Sequence, residues 1–112
     1  MSSENSYILV ADGSSGSPDL EQQMASRMVR AFEIFKERQR KYGCTNIAKR
    51  GPVGVLVRLD DKLARLDNAV MRGAPETADE TVQDTCFDIA NYSFILDICR
   101  AGMWPGWEVR HG

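Results

Sequence analysis

The chain has 112 residues, which suits one compact domain and leaves too little for two. Hydrophobic residues make up 43% and charged residues 27%, so there is apolar mass for a core, and a disordered chain is excluded. A formal net charge of −2 argues against a nucleic-acid binder, which needs a basic face to displace counterions from phosphates.

The three cysteines, Cys44, Cys86 and Cys99, are odd in number and form no CxxC. A disulfide framework and a zinc site are therefore not expected, and the three read as small buried hydrophobes in a reducing compartment. The N-terminal segment lacks the basic start and apolar run of a secretory signal. No apolar stretch approaches the roughly 20 residues that cross a bilayer. The expected location is the cytoplasm, with no membrane partner.

In chain order, residues 1–17 read as a flexible arm, and residues 18–112 as a single helical domain. Within the arm, Tyr7-Ile8-Leu9-Val10 reads as a short strand or extended segment, and Asp12 to Ser17 is rich in turn formers. The first helix is expected from Ser17-Pro18, a capping serine followed by a proline tolerated at the first helical position. It should run to Tyr42 and stop at Gly43, with Leu20, Met24, Met28, Ala31, Phe32 and Phe35 as its apolar stripe.

Gly43 to Gly54 reads as a loop. A second helix follows over about Val55 to Arg72, with Val55, Leu59, Leu63, Leu66 and Val70 on one face. Gly73-Ala74-Pro75 ends it. A third helix is expected from near Thr77 to Arg100 or Ala101, followed by Gly102. Pro105 prevents the Met103 to Trp107 tail from extending it. Three long helices and almost no strand signal give an all-α fold. A bundle this small, with apolar faces this wide, completes its core by pairing with another copy.

The third helix carries the chemistry. At about 100° per residue, Glu80, Asp84, Asp88 and Asn91 fall in a stripe roughly 80° wide. Val82, Cys86, Phe87, Ile89, Ala90, Phe94, Ile95 and Leu96 surround it, so Asp88 above all should face the interior. Carboxylates at adjacent turns repel, and burying them unpaired is costly. Either a divalent metal or a Lys or Arg from another helix must compensate. On the first helix, Glu33 and Glu37 lie one turn apart, as they would on any wet helix face. Together with Asp84 and Asp88 they would supply four carboxylates from two helices. On the second helix Lys62 and Arg65 share a face and suit a polyphosphate, or else salt-bridge Asp60, Asp61 and Asp67. The one histidine, His111, is C-terminal, and there is no phosphate-binding glycine loop, so a Ser-His-Asp arrangement and a Walker-type site are not expected.

Lys41-Tyr42-Gly43, Asp61-Lys62-Leu63-Ala64-Arg65-Leu66 and Asp84-Thr85-Cys86-Phe87-Asp88-Ile89-Ala90-Asn91-Tyr92 together resemble the nucleotide modification associated domain of phages. That domain is similar to the all-α nucleoside triphosphate pyrophosphatases of the MazG type. The likeness spans about Ala25 to Leu96. It implies a MazG-like bundle that forms dimers or tetramers and binds two or three Mg²⁺ or Mn²⁺ ions. It implies hydrolysis of (d)NTPs to monophosphate and pyrophosphate, here of dATP and dGTP in phage 2-aminoadenine metabolism, in the host cytoplasm. On that likeness Glu33, Glu37, Asp84 and Asp88 are the expected catalytic metal ligands, with Glu80 a further ligand or general base. Lys62 and Arg65 neutralise the triphosphate, while Asn91 and Tyr92 contact sugar or phosphate. The family's ExxE and ExxD motifs stand here as ExxxE and DxxxD, which keeps each pair on one helix face but leaves the direct ligands open. Two other readings of the residues stay open: a non-catalytic nucleotide-binding module, and a structural oligomer whose acidic ladder pairs with the second helix.

Overall fold

The computed structural model describes residues 8–76 and 80–108. The fold is all-α, and its first helix, α1 (Pro18–Tyr42), has the bounds expected from the sequence. Ser17 caps it from an extended backbone, its Oγ accepting from the Leu20 N–H at 3.2 Å. Glu21 reaches back over the same end. Its two carboxylate oxygens accept from the Gly13 and Ser15 N–H groups at 2.8 and 2.7 Å, closing a turn ahead of the helix. At the other end Gly43, at φ 74°, turns the chain away, and its N–H returns to Gln39 O.

The segment expected to be a loop is not one. It contains a short helix, α2 (Thr45–Ala48), and the start of α3 (Gly51–Met71). The Gly-Pro-Val-Gly string looks like a breaker, yet a proline in the first helical turn has no hydrogen bond to lose. Gly51 has φ 63°, and a Cβ there would stand 2.6 Å from the Trp107 ring. Glycine therefore serves both the turn into α3 and the close approach of the C-terminal tail.

The last helix, α4 (Val82–Arg100), starts from a capping box. Thr81 Oγ1 accepts from the Asp84 N–H, and Asp84 Oδ2 accepts from the Thr81 N–H, each at 3.1 Å. Thr77, where a start was expected, lies outside the described residues. The tail folds back as a small antiparallel hairpin of β1 (Met103–Trp104) and β2 (Trp107–Glu108), with Trp104 opposite Trp107.

α4 packs most extensively on α3 and more sparsely on α1. Ile47, Val55, Ile95, Cys99 and Trp104 form the buried core, flanked by Phe35, Tyr92 and Leu96. Trp104 locks the hairpin onto this core. Its indole N–H donates to Cys44 O at 3.0 Å, and the Phe35 ring meets it edge-on at 6.2 Å.

The apolar stripe of α1 is mostly uncovered within this chain. Ala31 is buried and Phe35 half-buried, but Leu20, Met24, Met28 and Phe32 are exposed, Phe32 at 58%. Leu63 and Val70 of α3 are exposed as well. Among the described residues α4 and the hairpin cover only the C-terminal half of α1, which leaves the stripe of its N-terminal half exposed. The cysteines, all expected inside, divide: Cys99 is buried, Cys44 partly so, and Cys86 is exposed. Ile8 to Val10 are exposed and form no strand, while Tyr7 and His111 lie outside the described residues. No helix among the described residues is long and apolar enough to cross a membrane.

Candidate active site

The pairing of α3 with α4 sets the cations of one helix against the carboxylates of the other. Lys62 Nζ lies 2.9 Å from Asp88 Oδ2 and 3.0 Å from Glu80 Oε1. Arg65 adds a second cation to Glu80 Oε1, and Arg38 of α1 reaches Asp88 Oδ1 at 3.2 Å. Thr85 Oγ1 lies 3.3 Å from Glu80 Oε2. The result is a continuous chain of alternating charge, Arg38–Asp88–Lys62–Glu80–Arg65, that ties three helices together.

Burial grades along this chain. The Asp88 side chain is 7% exposed, Lys62 17% and Arg65 57%. Asp88 thus faces the interior, as its apolar surroundings on α4 require, and Lys62 and Arg38 provide the compensation that its burial demands. Burial alone would pull the Lys62 ammonium down. The hydrogen bonds and charges of Asp88 and Glu80 outweigh it and hold the ammonium above the ordinary lysine value. For Glu80, burial pushes upward, but the Lys62 hydrogen bond and the charges of Lys62 and Arg65 win, and its carboxyl sits below the usual range.

The remaining expected site residues are placed as follows. Asp84 serves the capping box, and its hydrogen bonds from the Thr81 backbone and side chain hold its carboxyl low, with smaller help from Arg38 and Arg30. Glu33 is exposed and lies 3.6 Å from Arg30 on its own helix, a solvated pair of little worth. Glu37 is exposed and joins no ion pair among the described residues. The structure brings Asp88, Glu80, Lys62 and Arg65 together, but it does not gather Glu33, Glu37, Asp84 and Asp88 into one cluster. Among the described residues no three His, Cys, Asp or Glu side chains are placed to hold a metal by themselves. Lys62 and Arg65 pair across to α4 and its approach, while Asp67 faces Arg72 at 3.8 Å.

Asn91 bonds to the α1 backbone, its Nδ2 donating to Ala31 O at 3.0 Å, and the small Ala31 permits that approach. Asn91 and Tyr92 also border a cavity of about 260 Å³ beside the ion-pair chain. α1 contributes Phe35, Arg38, Gln39 and Tyr42 to its wall, the α2 region Asn46 and Ile47, α3 Arg58, and α4 Asp88 and Ile95. Gln39 Oε1 is buried and accepts no hydrogen bond from any described residue.

Arg38 and Gln39 are site residues that the helical pattern did not single out. The signal was present for Arg38: it stands three residues after Phe35 and four before Tyr42, so it is a cation on the inward edge of α1. Gln39 carries no such mark, since its place in the cavity wall depends on the elements that meet around it. No protein-family model matches the chain, nor does any curated protein or solved structure.

Proposed function

We propose that this chain is a metal-dependent (d)NTP pyrophosphohydrolase of the MazG-like helical type, converting purine deoxynucleoside triphosphates to monophosphate and pyrophosphate. The observation that carries the reading is the Lys62 ammonium seated between Glu80 Oε1 and Asp88 Oδ2, next to a cavity lined by aromatic, amide and guanidinium groups. Two hard oxygen donors converge there on one positive charge. Their chemistry fits Mg²⁺ or Mn²⁺, and Mg²⁺ is commonly held by one or two carboxylates together with substrate phosphates. Glu80 and Asp88 would hold the metal, which supplies polarisation of the phosphates and an acidified water.

The chain's own groups do the rest. Lys62 and Arg65, exchanged from carboxylate to phosphate, neutralise the triphosphate and the departing pyrophosphate. Arg38 keeps Asp88 oriented from the side of α1. Asn91 and Tyr92 face sugar or phosphate at the cavity. Glu33 and Glu37, exposed on α1, take no part in this set. The uncovered stripe of α1 fits a homo-oligomer, and the motif likeness favours dATP and dGTP as substrates, in the manner of the cyanophage enzyme MazZ. The test is pyrophosphate release from a panel of (d)NTPs with Mg²⁺ or Mn²⁺.

One observation favours a second reading, a nucleotide-binding module without turnover. Glu80 and Asp88 already have Lys or Arg partners, so the network is compensated without metal. Calorimetric nucleotide binding with no product formed would select it.

A further inference from the structure

The seat between Glu80 and Asp88 is already taken by a cation of the chain itself. The Lys62 ammonium lies 3.0 Å from Glu80 Oε1 and 2.9 Å from Asp88 Oδ2, so one charge serves both acids at once. The same two carboxylates are the donors that the reading above gives to Mg²⁺ or Mn²⁺. Two cations against the same oxygens repel one another, and more strongly away from water, where the Lys62 side chain is only 17% exposed. Lysine carries its charge as a point on a flexible four-carbon stem, unlike the rigid fork of arginine, so the ammonium can leave without moving α3. Each acid also has a guanidinium of its own, Arg38 at 3.2 Å from Asp88 Oδ1 and Arg65 at Glu80 Oε1. The departure of Lys62 therefore leaves neither acid without a cation.

We infer that Lys62 is the resident counterion of the metal seat, and that the ammonium and a divalent ion occupy the place between Glu80 and Asp88 alternately. The inference rests on the metal-dependent reading above and deepens it, since it names the side chain that regulates entry of the metal. In the free protein Lys62 fills the seat, so a metal offered alone binds weakly. A triphosphate offers the ammonium another set of anionic oxygens, and the seat opens as Lys62 turns to them. Lys62 thus opposes metal in the free chain and serves the substrate once phosphate is present. Loss of this one side chain tightens metal binding while it weakens turnover, a pairing that a merely structural ion pair does not produce.

The test uses Mn²⁺ alone, without nucleotide, by isothermal titration of the full chain at neutral pH. Lys62→Gln, verified as folded by circular dichroism, binds Mn²⁺ about tenfold or more tighter than the wild type. Arg58→Gln removes the same charge one turn away on α3, from a side chain that joins no ion pair among the described residues, and changes the affinity by less than about threefold. Asp88→Asn added to Lys62→Gln abolishes the gain. In the wild type itself the Lys62 ammonium is followed by ¹⁵N NMR as Mg²⁺ is added, and its signal moves with the midpoint of Mg²⁺ binding. Equal Mn²⁺ affinity in wild type and Lys62→Gln overturns the inference. So does an equal gain in Arg58→Gln, or a Lys62 signal that stays in place at saturating Mg²⁺. The failures are distinguishable: Mn²⁺ binding that needs Asp88 but ignores Lys62 removes the counterion role and keeps the metal reading, whereas no Mn²⁺ binding by any of these proteins removes both.

Discussion

Lys62 Nζ of α3 stands 2.9 Å from Asp88 Oδ2 of α4, and both side chains are largely withdrawn from solvent. This contact holds the most buried acid of α4 in place, so breaking it from one side is costly. Lys62→Met should lower stability by about 2–3 kcal/mol at neutral pH, because among the described residues Asp88 then keeps only Arg38 as a cationic partner. Asp88→Asn added to that variant should recover part of the loss, giving a coupling of about 1–2 kcal/mol in a double-mutant cycle by urea denaturation. Strictly additive losses would mean that the pair does not act as a unit.

What the sequence made legible here was local. Ser17, Pro18 and Gly43 carry the ends of α1 in their own chemistry, and the apolar surroundings of Asp88 on α4 announced its burial. The partner of Asp88 was not legible, because a metal and a lysine answer the same electrostatic demand equally well. Asp84 was read as a ligand when its spacing from Thr81 is that of a capping box, a signal present in the sequence and outweighed by the acidic ladder. The start of α3 was placed too late, at about Val55, because Gly51 to Gly54 were included in a loop, whereas Gly51 and Pro52 stand in its first turn, where Pro costs nothing. The exposure of α1 depends on how much surface one chain can offer it, and that is not written in the helix itself.

The carboxyl of Glu80 is held below its ordinary value of 4.5 by Lys62 and Arg65. Its unfolded form therefore binds a proton more readily than its folded form, and stability rises with pH in that window. The contribution should be complete above about pH 4.5 and disappear as pH falls through the lowered folded value. Thermal melts from pH 7 to pH 3 should show wild type losing stability more steeply below that point than Glu80→Gln. Parallel curves for the two proteins would remove Glu80 as a source of acid sensitivity.

Mg²⁺ or Mn²⁺ should raise the melting temperature of the wild type, since a ligand at 100 times its Kd stabilises by about 2.7 kcal/mol. Asp88→Asn and Glu80→Gln should lose most of that shift, whereas Glu33→Gln and Glu37→Gln, exposed on α1, should keep it. A shift that depends on Glu33 or Glu37 would place the metal against α1.

The exposed stripe of Leu20, Met24, Met28 and Phe32 should be covered by a second copy in solution. Sedimentation should give a species at least twice the 12.5 kDa chain mass, and Met28→Glu with Phe32→Glu should return it to the monomer. A wild type that already sediments as a monomer at high concentration would leave this face without a self-partner.

Pyrophosphate release is the most direct test of the central claim. Wild type, Asp88→Asn and Lys62→Met, each verified as folded by circular dichroism, should be assayed with dATP, dGTP and the pyrimidine deoxynucleotides in Mg²⁺ or Mn²⁺. The account predicts release by the wild type that prefers the purines and falls by about a hundredfold or more in both variants. No release from any nucleotide by folded wild-type protein, or release that survives Asp88→Asn undiminished, would contradict it.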